Sequence, residues 1–592
     1  MRFSLTVAFT LIAGAALAQQ TADAVQPESG TDGAAVATTE AIAAAQASKD
    51  AGQPVTAQSY MVAAANPLAV QAGTEVLAAG GTAADALVAV QVVLGLVEPQ
   101  SSGIGGGAFL VWYDAKAKEL TTLDGRETAP LAATPQLFQT DDGEPMGFFD
   151  AVVGGRSVGT PGTPALLEEV HTRWGNLAWP RLFDEAIRLA EDGFEVSPRL
   201  AGLVENDADR LGTFPATADY FLPGGTPLSV GTILENPDYA ATLRAMAAEG
   251  ADAIYTGAIA ADIVETVQTA GNPGVLSELD LSIYQVKERA PVCATYRAHD
   301  VCGMGPPSSG ALTVGQILGM LDGYDLSALG ANNPESWRLI GDASRLAFAD
   351  RGRYMADSDF VPMPTAGLVD PAYLADRGAL LGGDVALEEV APGAPAFDHS
   401  LNWADDQSLE LPSTSHISIV DSFGNMASMT TTIENAFGSR LMTNGFLLNN
   451  ELTDFSFSTH ANGVPIANAL APGKRPRSSM SPTIVMKDDA PVLAIGSPGG
   501  SRIIGYTAKS IIAWLDWGMD VQQAVSLPHA VNRFGTYDFE EGTSAADLAP
   551  TMEALGFEVN VRDLNSGLHA IEIGETLQGG ADPRREGIAL GD

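Results

Sequence analysis

The spacing of apolar residues along the chain predicts alternating helices and strands. Apolar side chains recur at helical intervals over residues 82–97, and Pro99 follows, which predicts a helix ending near Val97. Residues 108–113 form a continuous apolar run typical of a buried strand. Residues 180–191 have a proline at the start, apolar positions on one side and Gly193 after them, which predicts a second helix.

The glycine run at residues 102–107 lies between the first helix and the strand. A dinucleotide-binding or phosphate-binding loop needs the opposite order of strand, glycine turn and helix, and a P-loop also needs Lys-Ser/Thr after its glycines. Neither pattern is present, so we reject nucleotide binding and interpret the run as a place where the backbone passes close to another group.

After residue 414 the pattern changes to β-structure. Residues 416–420 and 426–432 alternate in polarity around a turn signal at residues 422–425, which predicts a hairpin with Ile417 and Ile419 on one face. Folding at residues 423–424 pairs Thr414 with Ile433, or with Thr432 if a bulge shifts the register. Either register places the two threonines side by side, although both could be ordinary strand formers.

Composition and charge narrow the class of protein. A globular chain of 592 residues, with 46% hydrophobic and 18% charged residues, predicts two or more domains or one large layered unit. The formal net charge is −42, from 73 acidic and 31 basic residues. Such a surface repels phosphate backbones and anionic lipids, so we expect no nucleic-acid partner.

The N-terminus has the pattern of a signal peptide. Arg2 precedes an apolar core at residues 5–12 and the small-residue site Ala16-Leu17-Ala18, which predicts a signal peptide at residues 1–18 and export to the periplasm or medium. An uncleaved anchor is the alternative, but the run is short for a membrane span, and we expect no stable membrane anchor. Residues 19–60, rich in Ala, Thr, Gln and Gly, are predicted to be a flexible leader.

The chain has two cysteines, Cys293 and Cys302, separated by a short strand–turn–strand pattern. In an oxidising compartment a disulfide across this hairpin is sterically reasonable, and two reduced core cysteines are the alternative. No Cys/His spacing suggests zinc, and we expect neither a metal nor a cofactor.

Thr414 stands at the head of the hairpin, after a polar, acidic segment (385–411) that we expect to be an accessible, mobile loop. A threonine hydroxyl is a poor nucleophile without an adjacent base. A cut between Ser413 and Thr414 would supply one, because the new α-amino group would belong to the same residue. With a pKa of about 7.7–8.0, much of that amine is neutral near physiological pH.

Several further segments occur in an order that resembles the gamma-glutamyltransferase family. The resemblance runs from about Met61 to the C-terminus. Its motifs are 103–107, Asp124-Gly125-Arg126-Glu127-Thr128-Ala129-Pro130, Pro306-Pro307-Ser308-Ser309-Gly310, 414–421, Gly424-Asn425, Thr432, Phe437-Gly438, Asn449-Asn450, Asp454-Phe455, 473–483, 496–500 and Ala581-Asp582-Pro583-Arg584-Arg585-Glu586-Gly587.

The resemblance implies an N-terminal-nucleophile hydrolase with an α/β fold, a four-layer α/β/β/α sandwich formed by two subunits cut from one precursor. The large subunit would be residues 61–413 with the leader, the small subunit would be 414–592, and the two would associate. Thr414 would cut the chain after Ser413 and then attack a γ-glutamyl amide, such as glutathione, to form an acyl-enzyme. Water would hydrolyse it, or an amino acid or peptide amine would accept it.

The resemblance also implies roles for the site residues. Thr432 would orient the nucleophile, while Gly499 and Gly500 would donate N–H groups to the oxyanion. Arg126, Ser478 and Ser479 would bind the substrate α-carboxylate, and Glu451 and Asp454 its α-ammonium. Without the resemblance, Arg126 would be interpreted as a surface ion pair with Glu127.

Two departures from the family pattern bear on the substrate. Glu434 stands where many members have Asn, and would add negative charge to the pocket or face elsewhere. The segment from Asp454 to Ser478 is shorter than a full lid loop and has no tyrosine. A shorter lid would expose the acyl-enzyme to water, so we expect hydrolysis to prevail over transfer.

Alternatives remain within the fold and outside it. An acylase for glutaryl amides would share the nucleophile, but its substrate has no ammonium group to bind. An inactive exported binding homologue would not cut the chain. A serine hydrolase of the triad type lacks a Gly-x-Ser-x-Gly motif, and a transport-type binding protein leaves the threonines unexplained.

Overall fold

The computed structural model describes residues 39–399, 402–406, 408 and 410–592. The predicted signal peptide and the first part of the predicted leader lie outside these residues. Within the described part, no helix is long and apolar enough to cross a membrane.

Two antiparallel seven-stranded sheets form the centre of the molecule. The first sheet contains, in spatial order, Ile588–Gly591, Met61–Ala64, Ser415–Val420, Met426–Thr432, Gly107–Asp114, Glu119–Gly125 and Lys287–Arg289. The second contains Val55–Ala57, Leu577–Ala581, His569–Ile573, Ala490–Gly496, Thr483–Lys487, His299–Gly303 and Val292–Tyr296.

The sheets face each other across an apolar layer that includes Val111, Met426, Ala494 and Ile571. On its outer face the first sheet packs against helices Pro67–Ala78 and Ala83–Val97. Helices between residues 163 and 269 contribute to the same apolar core. The second packs against Gly310–Leu321, Pro334–Tyr354 and Ile503–Leu515. The order helices, sheet, sheet, helices is the predicted four-layer sandwich.

Shorter elements surround these layers. The other helices are Glu40–Asp50, Thr163–Trp174, Asp184–Asp192, Pro198–Asn206, Pro237–Glu249, Gly257–Thr269, Pro371–Gly378, Val521–Ser526 and Ala549–Ala554, with shorter ones at Phe148–Val152, Ala208–Leu211, Pro215–Phe221, Asp252–Tyr255, Glu278–Ser282, Leu326–Leu329 and Thr365–Leu368. Small sheets pair Phe194–Glu195 with Ile233–Leu234, Met442–Thr443 with Phe446–Leu447, His460–Ala461 with Val464–Pro465, and Thr536–Glu540 with Ala530–Asn532 and Glu558–Arg562.

The helix predicted over residues 82–97 is confirmed as Ala83–Val97. Thr82 caps it, since its Oγ1 accepts the N–H of Asp85 while Asp85 accepts the N–H of Thr82 at 2.8 Å. The predicted strand is confirmed as Gly107–Asp114. The pattern at 180–191 forms a 3₁₀ turn, Trp179–Phe183, before the α-helix Asp184–Asp192 begins.

The prediction of a flexible leader is wrong for the part of it that the structure describes. Glu40–Asp50 is a helix capped by Thr39, and Val55–Ala57 pairs with Leu577–Ala581. Ile42 and Ala45 are buried in the core, and Lys49 donates to the carbonyl oxygens of Arg585 and Gly587. An alanine-rich sequence without a strong apolar period can still form a helix where it packs against the rest of the protein.

Cys293 and Cys302 face each other on the hairpin formed by the last two strands of the second sheet, and a disulfide joins them.

Candidate active site

The hairpin that carries Thr414 has its register set by Asp421. The carboxylate of Asp421 accepts the N–H groups of Phe423 and Asn425, both at 2.9 Å, and closes a five-residue loop. Ser415 therefore lies opposite Thr431, and the next position brings Thr414 opposite Thr432 without a bulge. The expected pairing with Ile433 is wrong, because the five-residue loop is centred on Phe423 instead of between Phe423 and Gly424.

Thr414 and Thr432 are in contact, as the hairpin predicted. The hydroxyl of Thr414 donates to Oγ1 of Thr432 at 3.1 Å, and the same oxygen accepts the N–H of Glu434 at 2.8 Å. Both threonines are at least 96% buried. The segment before Thr414 lacks helix and strand where it is described, as expected, but its end is not accessible, since Glu410, Leu411 and Ser413 are also buried.

The backbone of Thr414 is strained, and the carbonyl group before it is polarised. Thr414 has a φ of 90°, a conformation that a β-branched residue rarely adopts and that costs about 1–3 kcal/mol. The carbonyl oxygen of Ser413 accepts the N–H of Gly499 at 3.2 Å. A backbone donor is thus already aimed at the oxygen that would carry negative charge if Thr414 attacked this carbonyl.

The backbone of this loop favours glycine at residues 499 and 500, and residue 500 has no room for a side chain. Gly499 and Gly500 have φ values of 129° and 56°. A Cβ atom on Gly500 would lie 2.7 Å from the carbonyl oxygen of Leu411, so the close approach depends on its absence. Arg502 anchors the loop through an ion pair with Asp538 at 2.9 Å.

Arg126 lies in a buried ion-pair cluster instead of a surface pair with Glu127. Its guanidinium donates to Glu451, and to Asp454 at 2.5 Å, while Glu127 is 3.9 Å away. Two carbonyl oxygens, of Pro476 and Arg477, accept further N–H groups of Arg126. Most of its donors are therefore taken by the protein.

The cluster holds more acids than one guanidinium can neutralise. Burial, and then the neighbouring Asp454, raise the pKa of Glu434 well above its usual range. Burial likewise raises the pKa values of Glu451 and Asp454. The carboxyl group of Glu434 accepts from the side-chain amide of Asn450 and from the N–H of Leu411 at 3.3 Å. An arriving ammonium group would supply the missing positive charge.

Ser478 and Ser479 lie on the loop beside the cluster. The hydroxyl of Ser478 accepts the N–H of Met480 at 3.2 Å, and the hydroxyl of Ser479 donates to the carboxylate of Glu410. All of the predicted catalytic, substrate-binding and cleavage-site residues except Ser413 and Gly499 line one cavity, together with Glu410, Leu411, Met480 and Ile503. The described residues contain no group of three or more His, Cys, Asp or Glu side chains able to hold a metal ion.

Three residues of the site were not predicted from the sequence. Arg351 and Glu410 form an ion pair against Ser479. Arg585 donates to the carbonyl oxygen of Thr414 at 3.1 Å. The family motif at residues 581–587 could have pointed to Arg585, but no local signal singles out Arg351 or Glu410.

The sequence is similar to those of known proteins over most of its length. A family model described as gamma-glutamyltranspeptidase matches residues 69–592. The glutathione hydrolase proenzyme of Bacillus subtilis (strain 168) is 37% identical over 544 residues, which cover 90% of this chain and 91% of that protein. The acylase ACY 1 proenzyme of Pseudomonas sp. (strain V22) is 34% identical over 549 residues, covering 91% and 94% of the two chains.

The fold matches solved structures as well. The crystal structure of cephalosporin acylase from Bacillus halodurans has a TM-score of 0.80 and 26% identity, and covers 91% of this chain and 97% of that chain. The four-layer arrangement is therefore shared with a relative that is named for a different substrate.

Proposed function

This chain belongs to the gamma-glutamyltranspeptidase family, and we propose that it is a precursor that cuts itself between Ser413 and Thr414 and then hydrolyses γ-glutamyl amides. The observation that carries the proposal is the geometry at the Ser413–Thr414 bond. The hydroxyl of Thr414 contacts Thr432, and the carbonyl oxygen before it accepts the Gly499 N–H.

Self-cleavage starts when Oγ1 of Thr414 adds to the carbonyl carbon of Ser413. The Gly499 N–H stabilises the oxyanion, and relief of the strained φ favours the forward step. The C–N bond then breaks and the proton passes to the departing amine, which leaves an ester on Oγ1. Water hydrolyses the ester to give the carboxylate of Ser413 and a free N-terminal Thr414.

Catalysis repeats this chemistry on substrate with a better base. The free α-amine of Thr414 removes the hydroxyl proton while Oγ1 attacks the γ-carbonyl, and the same proton then passes to the leaving amine. Gly499 and Gly500 hold the oxyanion, and Thr432 holds the hydroxyl in line. Water hydrolyses the acyl-enzyme and releases glutamate, and the short segment between Asp454 and Ser478 favours water over an acceptor amine.

The acidic cluster supports an amino-acid donor over a glutaryl donor. Glu434, Glu451 and Asp454 offer three carboxyl groups against the single guanidinium of Arg126. An α-ammonium would be attracted to this surplus, whereas a glutaryl group has only a carboxylate. Arg126, Ser478 and Ser479 are proposed to face the carboxylate end of the donor.

An acylase for glutaryl amides is the second candidate. It is favoured by the overall similarity to the acylase ACY 1 proenzyme and to the cephalosporin acylase structure. Comparing kcat/KM for γ-glutamyl and glutaryl p-nitroanilides separates the two. A higher value for the γ-glutamyl compound supports the first candidate, and a higher value for the glutaryl compound supports the second.

We also propose two associated subunits, residues 61–413 with the preceding leader and 414–592, in an exported protein. The signal peptide predicted for residues 1–18 and the Cys293–Cys302 disulfide support this location.

Intact-mass analysis of the purified protein tests self-cleavage. We expect two fragments, with the smaller beginning at Thr414, and a single inactive chain for Thr414→Ala. A wild-type chain that stays whole over days would mean an inactive binding homologue. Strong acceleration of γ-glutamyl anilide turnover by glycylglycine would contradict the preference for hydrolysis.

A further inference from the structure

Helix Glu40–Asp50 places a lysine inside the protein, although most residues of this helix are exposed. Lys49 lies in the last turn of the helix and is 95% buried. Its ammonium group donates to the carbonyl oxygen of Arg585 at 3.0 Å and to that of Gly587 at 2.7 Å. Lysine is almost never buried to this extent without such partners. The two hydrogen bonds therefore fix the segment that contains Arg585 and Gly587 against the helix.

Residues 582–587 form the Arg585 connection, which joins strand Leu577–Ala581 of the second sheet to strand Ile588–Gly591 of the first. The connection is packed closely at Gly587. A Cβ atom there would clash with Nε2 of His569, which lies on a neighbouring strand of the second sheet. The backbone of the Arg585 connection is therefore confined by contacts from both the helix and the second sheet.

The side chain of Arg585 extends from this connection to the proposed nucleophile. Its Nη1 donates to the carbonyl oxygen of Thr414 at 3.1 Å, and its Nε donates to Oδ1 of Asn565 at 3.3 Å. Because Arg585 is almost fully buried, water does not readily replace either bond. Lys49 and Thr414 are thus linked through Arg585, by one hydrogen bond to its backbone and one from its side chain.

Self-cleavage changes how Thr414 is held. In the uncut chain, covalent bonds fix this residue on both sides. The proposed cut removes the bond to Ser413, and strand Ser415–Val420 begins one residue after the new free end. The positions of the α-amine and the hydroxyl then depend on noncovalent contacts, among them those with Thr432 and Arg585. Since a misplacement of about 1 Å can slow a reaction about 100-fold, these contacts matter most in the cut enzyme.

We propose that Lys49 is a positioning residue for turnover, which fixes the Arg585 connection and, through Arg585, holds the N-terminal residue Thr414 in place after self-cleavage. The inference rests on the proposed function, since it requires a free Thr414 as the nucleophile. The helix that carries Lys49 precedes residues 69–592, which match the family model. This contribution to the site therefore comes from a part of the chain that the family model does not describe.

Lys49→Met tests the role of the ammonium group, because methionine has a similar length but donates no hydrogen bond. The Arg585 connection then gains freedom, and Thr414 is held less firmly at its carbonyl group. For the cut enzyme we expect kcat with γ-glutamyl p-nitroanilide to fall about 5- to 30-fold. The rate of self-cleavage should stay within about 3-fold of wild type, because covalent bonds hold Thr414 on both sides before the cut.

Combining Lys49→Met with Arg585→Gln tests whether Lys49 acts through Arg585. Arg585→Gln alone should lower kcat, since it weakens the contact with the carbonyl oxygen of Thr414. If Lys49 acts through that contact, adding Lys49→Met to Arg585→Gln should change kcat by less than about 2-fold. A general structural effect of Lys49→Met would instead lower kcat by the same factor in both backgrounds.

Ile42→Ala, on the same helix, is the matched control. Ile42 is buried in the apolar core, so this change weakens the packing of the helix without removing a hydrogen bond to the Arg585 connection. It should lower the midpoint of thermal denaturation and leave kcat within about 2-fold of wild type. If Lys49→Met does not fold, Lys49→Gln, which keeps a shorter amide donor, is assayed in the same way and should lose about 2- to 10-fold in kcat.

The role of Lys49 is overturned by a wild-type kcat in the Lys49 variants, or by a loss no larger than that of Ile42→Ala. Equal losses with and without Arg585→Gln, or equal slowing of self-cleavage and turnover, would also overturn it. Failure of the wild-type protein to cut itself overturns the proposed function together with this inference. A wild-type enzyme that is cut and active, beside Lys49 variants that are equally active, overturns only the role of Lys49.

Discussion

Thr432→Val tests the contact between the two threonines most directly. Valine replaces the hydroxyl with a methyl group of similar size. The change removes one oxygen, which accepts the hydroxyl of Thr414 at 3.1 Å and the N–H of Glu434 at 2.8 Å. Because the site is almost fully buried, water does not readily replace either bond.

Each lost bond has its own consequence. Leaving the N–H of Glu434 unpaired should lower the free energy of unfolding by about 1–3 kcal/mol. Loss of the contact that orients the nucleophile should raise the barrier by about 1–2 kcal/mol, which slows both self-cleavage and turnover about 5- to 30-fold. Binding of substrate does not involve this oxygen, so kcat should fall more than KM rises.

The assay follows appearance of the Thr414 fragment by mass, and then kcat with γ-glutamyl p-nitroanilide. Thr432→Ser keeps the hydroxyl and should stay close to wild type. Thr431→Val is the matched control, since the hydroxyl of Thr431 is buried and has no hydrogen-bond partner among the described residues. The reasoning is refuted if Thr432→Val is as fast as Thr432→Ser, or if Thr431→Val is equally impaired.

Further predictions concern the cluster, the nucleophile and the disulfide. Burial raises the pKa values of Glu434, Glu451 and Asp454, so these acids lose their protons only above the usual pH range of a carboxyl group. The kcat/KM ratio of γ-glutamyl to glutaryl p-nitroanilide should therefore increase as pH rises through that higher range, and a flat ratio would contradict their role with the ammonium. Arg585→Gln removes a cation that donates to the carbonyl oxygen of Thr414, and this loss should raise the pKa of the α-amine. The acid limb of the plot of kcat against pH should therefore move upward by up to about one pH unit. A lower kcat without a shift of this limb would mean a purely structural role. Replacing Cys293 and Cys302 with alanine should lower the free energy of unfolding by about 2–3 kcal/mol, as measured by denaturation. It should leave kcat unchanged, because this hairpin is at the edge of the second sheet and strand Thr483–Lys487 separates it from Ala490–Gly496. A large loss of kcat would contradict this.

The sequence by itself determined the elements whose signals lie within a few residues. The capped helix Ala83–Val97, the strand Gly107–Asp114 and the hairpin that brings Thr414 to Thr432 follow from local period, capping and turn chemistry. These features depend on contacts between near neighbours, which the order of residues specifies directly. The exact register of the hairpin also depends on the tertiary structure, because Asp421 accepts the N–H of Ala83, which belongs to another layer.

The tertiary structure decided the electrostatics of the site. The pairs Arg126–Glu451 and Arg351–Glu410, and the approach of Gly499 to Ser413, join residues far apart along the chain. Among 73 acidic residues, no local pattern indicates which one meets a given arginine. Burial raises the pKa values of Glu434, Glu451 and Asp454, whereas Arg351 and Arg477 lower the pKa of Glu410 despite its burial, so the outcome depends on which groups the fold brings together. That is why Thr414 and the candidate binding residues could be identified from the sequence and its family resemblance, whereas their ion pairs and pKa shifts required the structure.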